Sequence, residues 1–264
     1  MKKKKYLIRR IVAILFIFLL GITIFTIYKI DSNKSNDKFI PKKVSLNFQN
    51  RINDLKIYQY EDYFTIGWLQ VQGTNIDFPI LDVRSSGIVS EEINFGWRSP
   101  YYESGKNHEV LLGHNIVNVS STPIRDMTNL RNFEGLMAFT YEDFAKENLY
   151  INYTKGESIE TYKIYAIGFY DYGSGVDDNL SSDEVMQYIS NAKKNSLYDY
   201  NLDVNQDDWL LTIKTCTRYF GANEKQQLII DARRVRENES IETYEVTTND
   251  NYNILSNGVT NEKG

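Results

Sequence analysis

Trp209-Leu210-Leu211-Thr212-Ile213-Lys214-Thr215-Cys216 is a short apolar run that ends on the single cysteine of a 264-residue chain. Read as a strand, it alternates: Leu211, Ile213 and Thr215 share one face, and Leu210, Thr212, Lys214 and Cys216 share the other. The second face is the more polar, so Cys216 is expected to point away from the core, at a strand terminus open to solvent. Free cysteine is among the most buried residue types, so strand position by itself favours a packed thiol. The rest of the chain reverses that balance.

Outward from this run the texture is that of many short strands. Residues 66–71 and 76–81 read as two strands joined by the turn Gly73-Thr74-Asn75, and further strands are predicted at 109–112, 149–153, 159–170 and 227–235. The hairpin signal is clearest at Tyr153-Thr154-Lys155-Gly156-Glu157. Ser181-Ser182-Asp183-Glu184 opens a helix carrying Val185, Met186, Ile189 and Ala192, whose acidic first turn and terminal Lys193-Lys194 suit the helix dipole. Between 44 and 60, Phe48, Ile52, Leu55 and Gln59 recur at steps of 4, 3 and 4 behind Ser45 as a candidate N-cap, the pattern of a helix with one apolar stripe. Strands in this number with two or three helices predict a mainly β domain, a barrel or sandwich with helical additions, over 44–236. Residues 237–264 are polar, lack a core pattern and read as a disordered tail.

Charge separates the N-terminus from the remainder. Lys2 to Lys5, Arg9, Arg10 and Lys29 place seven positive charges and no acid in the first 29 residues, which leaves −12 on the rest of a chain whose net charge is −5. An acidic globular part without a basic stripe excludes a nucleic-acid partner. Behind the basic segment 1–10 runs an apolar stretch, 11–28, interrupted only by Gly21, Thr23 and Thr26. Its length corresponds to about 27 Å of helix, enough to span a bilayer. It exceeds a signal-peptide core and is followed by no small-x-small cleavage site, so an uncleaved transmembrane helix is expected. The positive-inside rule places the N-terminus in the cytoplasm and the acidic domain outside the cell, on a flexible polar linker, 29–43.

In that compartment one cysteine cannot form an internal disulfide, so the thiol of Cys216 is an intermolecular partner or a reactive group. Two histidines could activate it. His108, in the polar segment Ser104-Gly105-Lys106-Asn107-His108-Glu109, reads as an exposed residue with no task. His114 follows Val110-Leu111-Leu112-Gly113 and precedes Asn115, where a buried strand emerges and the backbone can turn. A thiol with pKa about 8.5 is mostly protonated at neutral pH, and an imidazole near 6.5 can take or supply the proton. No metal is expected, since two histidines and one cysteine without close spacing make no ligand set, and Asp177-Asp178 reads as a solvated loop. No cofactor is implied.

The order of N-terminal anchor, Gly67-Trp68-Leu69 with Gly73-Thr74-Asn75-Ile76-Asp77-Phe78-Pro79, then Leu112-Gly113-His114-Asn115, then Leu211-Thr212-Ile213-Lys214-Thr215-Cys216 resembles the sortase family. The helix before the first strand and the long helix ahead of the cysteine make it most similar to class B. The resemblance implies a closed eight-stranded β-barrel and cysteine transpeptidation of sorting signals in Gram-positive bacteria. Cys216 would attack a threonine carbonyl near the C-terminus of a surface protein or pilin and form an acyl-enzyme. His114 would protonate the leaving amine and then assist an amino nucleophile, a peptidoglycan cross-bridge or a pilin lysine.

One position departs from the family pattern. Such sortases carry an arginine at the start of the strand after the cysteine, and here Gln227 stands there, in Gln227-Leu228-Ile229-Ile230-Asp231-Ala232-Arg233. Alternation puts Gln227, Ile229, Asp231 and Arg233 on one face, so Gln227 faces away from the apolar side. A neutral amide can donate to an oxyanion, worth about 3–4 kcal/mol, but carries no charge. Arg218, two residues past Cys216, is the candidate for the missing charge. Arg233 is the weaker one, at about 20 Å along the strand. The competing expectation is a membrane-tethered binding or scaffolding module that keeps the sortase shape without turnover. A papain-type peptidase fits poorly, because that family places its cysteine before its histidine and on a helix.

Overall fold

A sheet leaves hydrogen-bonding groups unpaired at its edges unless it closes on itself, and this chain closes. The computed structural model describes residues 48–58, 64–83, 95–103, 106–116, 132–171, 180–220, 226–250 and 252. The expected basic segment 1–10, membrane span 11–28 and linker 29–43 lie outside them, as do Ser45, Gln59, Asp177 and Asp178. Among the described residues no helix is long and apolar enough to cross a membrane.

Among the described residues ten strands follow in chain order: β1 (Phe64–Val71), β2 (Asp77–Asp82), β3 (Gly96–Arg98), β4 (His108–Gly113), β5 (Tyr150–Lys155), β6 (Ser158–Asp171), β7 (Tyr198–Tyr200), β8 (Leu210–Thr217), β9 (Gln226–Arg234) and β10 (Val246–Thr248). Eight of them form a closed barrel in the order β1-β2-β3-β4-β8-β9-β6-β5. The barrel is mixed, because β2 pairs β3 and β4 pairs β8 in parallel while the other joins are antiparallel. Its interior holds one residue of every alternating pair, with Leu69, Ile80, Leu111, Ile151, Ile213 and Ile230 all fully buried. The β1–β2 turn passes through Gly73 at φ +76, which a side chain would strain.

The helices pack against this closed sheet. α1 (Ile52–Ile57) is shorter than the 44–60 expected, is preceded by Arg51 rather than capped by Ser45, and buries none of its residues. Ion pairing, in place of an apolar stripe, fastens its start: Arg51 Nε donates to Asp77 Oδ1 at 3.0 Å, and Trp68 Nε1 donates to the same oxygen at 2.7 Å. A 3₁₀ helix (Phe133–Thr140) and α2 (Glu142–Glu147), neither visible in the sequence pattern, fill the connection from β4 to β5. α3 (Ser182–Lys194) starts at the predicted box, with Ser181 N donating to Glu184 Oε2 at 2.8 Å. It lays Val185, Ile189 and Ala192 against Tyr165 and Ala166 of β6 and Leu210 of β8. Met186, the other apolar residue named in this helix, is exposed.

Two expectations are corrected. His108 is not an idle surface residue: it is the first residue of β4, is buried, and its Nε2 lies 2.8 Å from Thr212 Oγ1. The segment 237–250 is not a free tail. β10 pairs antiparallel with β7, Tyr244 OH donates to Ile164 O at 2.6 Å, and Glu239 receives Arg233 Nη2 and Lys163 Nζ, each at 2.8 Å. A buried guanidinium needs a carboxylate, and Glu239 meets that need from a stretch whose polar composition reads as loose chain.

Candidate functional site

Strand register brings the proposed site residues to one end of the barrel. β4 and β8 run parallel with Gly113 opposite Thr215, and Thr215 Oγ1 donates to Gly113 O at 2.8 Å. One step further along each chain stand His114 and Cys216. Matching positions on parallel neighbours face the same side, so both project to the outer face while Gly113 and Thr215 turn inward. The inward side leaves no room beside Gly113: a Cβ there would lie 2.4 Å from Cγ of Phe133. The Phe133 amide in turn donates to His114 O at 2.9 Å, which fixes the backbone where β4 ends. Trp97, on β3, packs its ring 4.8 Å from that of His114 at 57°.

On the other flank β9 pairs β8 antiparallel with Gln227 directly opposite Cys216. Tyr170 of β6 is opposite Gln227 in turn. The row His114, Cys216, Gln227 and Tyr170 therefore crosses four neighbouring strands on one face. Cys216 is exposed, as the alternation of its strand predicts. Four residues back along β8 and β9, Thr212 and Asp231 are buried beneath α3, whose Tyr188 OH donates to Asp231 Oδ1 at 2.6 Å.

The electrostatics of the thiol follow from its neighbours. Partial burial of the sulfur pushes the Cys216 thiol up, against the positive charge of Lys214 and a hydrogen bond from the side chain of Gln227, which hold it down. The amide nitrogen is the donor in that bond, and Gln227 Oε1 is buried without a hydrogen-bond partner. Burial also holds the Tyr170 hydroxyl in its neutral form. Arg218 lies exposed beyond the end of β8. Arg233 is fully buried and committed to Glu239 and to the carbonyl of Asp203. Among the described residues no group of three or more His, Cys, Asp or Glu gathers as a metal site.

No family model matches the chain. A curated relative, sortase B of Staphylococcus aureus (strain NCTC 8325 / PS 47), is 20% identical over 178 residues, 62% of this chain and 68% of that protein. Among solved structures, Clostridium perfringens sortase B matches with a TM-score of 0.54 at 19% identity, covering 70% of this chain and 98% of that one. The fold is that of the class B sortases. A Staphylococcus aureus sortase B–substrate complex matches with a TM-score of 0.56 at 12% identity, over 70% of this chain and 85% of that one.

Of the residues singled out from the sequence, the sortase barrel joins His114, Cys216 and Gln227 and leaves Arg218 and Arg233 apart from the thiol. Sequence reading passed over Lys214 and Tyr170. The signal for Lys214 was present, since alternation already placed it on the face of Cys216. Tyr170 carries no such signal, because only the β6–β9 register brings it beside Gln227.

Proposed function

We propose that the chain is a membrane-anchored cysteine transpeptidase that cleaves a C-terminal sorting signal and transfers the protein to an amine of the cell wall or of a pilin. The observation that carries this reading is the register itself, which sets an exposed, unbridged thiol between a strand-end histidine and an amide donor. The similarity to class B sortases in sequence and fold supports the chemistry, and the basic-apolar N-terminus supports an anchored domain outside a Gram-positive cell.

The steps follow from the residues. Cys216 Sγ adds to the threonine carbonyl carbon, the C–N bond breaks, and His114 gives its proton to the leaving amine. A thioester remains. An incoming amine then attacks the thioester carbon, loses a proton to His114 and releases Cys216 as the thiolate, which restores the pair that began the cycle. Gln227 donates to the sulfur or to the developing oxyanion. Tyr170 forms the wall beyond it.

The test is incubation of the full-length chain with a panel of sorting-signal peptides and hydroxylamine. Formation of the hydroxamate with one motif, and its loss in Cys216→Ala, supports the proposal and names the motif. A chain that binds such a peptide and cleaves none would be the scaffolding module, a reading that the neutral Gln227 favours.

A further inference from the structure

The arginine position is neutral, Arg218 lies exposed beyond the end of β8, and Arg233 is committed to Glu239, so a positive charge beside the thiol comes from elsewhere. It lies one pleat back on the same strand. Lys214 and Cys216 are both on β8, two residues apart, with Lys214 between Leu112 of β4 and Ile229 of β9 as Cys216 lies beside Gln227. Residues two apart on a strand share a face at about 7 Å, and Lys214 is half-buried on the face that carries Cys216. Among the described residues, His114 after β4, Gln227 from β9 and Tyr170 from β6 also face this end of the barrel, and of these three His114 can carry positive charge.

We propose that Lys214 and Gln227 divide between them the role a single guanidinium would fill: Lys214 supplies the positive charge that favours thiolate and oxyanion, and Gln227 supplies the directed hydrogen bond. The inference rests on the transpeptidase reading for its purpose but not for its geometry. Gln227 is the neutral arm, placed by register against Sγ, and it leaves its own acceptor unpaired in a buried position. Lys214 is the charged arm, which acts through space and makes no bond to the sulfur. This division is consistent with the thiol, which both groups pull down against burial. A guanidinium at position 227 would do both tasks with one side chain. Here a fixed dipole and a point charge on adjacent strands do them separately.

The proposal is tested by the pH dependence of iodoacetamide alkylation of Cys216, which needs no sorting signal, followed by intact mass in the full-length chain. Lys214→Gln is expected to move the alkylation inflection to higher pH and to slow reaction at pH 7.5 by about three- to tenfold, the range that screening allows one charge at this separation. Lys214→Arg should restore the wild-type profile, and Lys214→Met, which keeps the apolar stem, should behave as Lys214→Gln. Gln227→Leu should shift the inflection the same way, and the double variant should shift it further than either. Arg218→Gln should leave the profile in place. A Lys214→Gln profile that coincides with wild type in a folded protein overturns the proposal, as does a shift produced by Arg218→Gln instead. Peptide cleavage with an unmoved Lys214→Gln profile would overturn this inference alone. A shifted profile with no peptide cleaved would overturn the transpeptidase reading and leave the charge assignment standing.

Discussion

Asp231→Asn should stabilise the protein at neutral pH and lose that advantage in acid. Asp231 is buried on β9 under α3, and both of its hydrogen bonds, from Tyr188 OH at 2.6 Å and Thr212 Oγ1 at 2.5 Å, arrive on Oδ1. Burial pushes its carboxyl from 3.8 to about 6, with those two donors holding it below what desolvation would impose. A carboxyl whose folded pKa is raised binds its proton more tightly when folded, so stability falls as pH rises from about 3.8 to about 6 and is level above that. Each pH unit in that window is worth 1.36 kcal/mol, which gives ~3 kcal/mol as an upper bound on what ionisation costs the native state. Asparagine keeps an acceptor for Tyr188 and Thr212 and cannot ionise. We expect a gain of about 1–3 kcal/mol at pH 7.5 that shrinks toward zero near pH 4, measured by urea unfolding of variant and wild type across that range. Contributions from other groups cancel in the difference. A variant less stable than wild type at pH 7.5, or a gain that does not change with pH, would refute the reasoning.

Glu239→Gln should cost about 3 kcal/mol in urea unfolding at pH 7, because it leaves the buried guanidinium of Arg233 without its carboxylate. The Arg233 partnership holds the Glu239 carboxyl well below its usual range, so its contribution is present above about pH 4.5 and is lost as pH falls; the variant should show the shallower loss of stability in acid. Gly113→Ala drives a Cβ into the Phe133 ring and should cost about 1–3 kcal/mol. It should also depress peptide cleavage in folded protein, since His114 is the next residue. His114→Ala should lower turnover by about 10²–10⁴-fold, read with the peptide that wild type cleaves, while leaving Cys216 open to alkylation.

The barrel was legible because period-two patterns and glycine turns state strands directly. β1, β2, β4, β5, β6, β8 and β9 stand at or within a few residues of where the pattern puts them, and Ser181 with Glu184 marks the start of α3. What the pattern missed is short or tertiary. β3, β7 and β10 have three residues each, too few to alternate. β10 exists because β7 offers an edge, and Glu239 is ordered because Arg233 is buried; neither fact is local to residues 237–250. His108 was misread for the same reason, since its polar neighbours describe the loop before β4 and only Thr212, 104 positions away, explains its burial. At the site, Cys216 and His114 were legible from strand ends and order, and Gln227 from the family pattern. Arg218, the replacement charge expected from the sequence, lies two residues forward along the chain. Pleat geometry pointed two residues back, to Lys214.

Intact-mass analysis of the full-length chain, quenched during reaction with a cleavable sorting-signal peptide, tests the central claim most directly. The account predicts an adduct equal in mass to the peptide truncated after its threonine, attached as a thioester at Cys216, discharged by an added amine and missing in Cys216→Ala. Cleavage of the peptide with no adduct at Cys216, or cleavage that persists in Cys216→Ala, would contradict it.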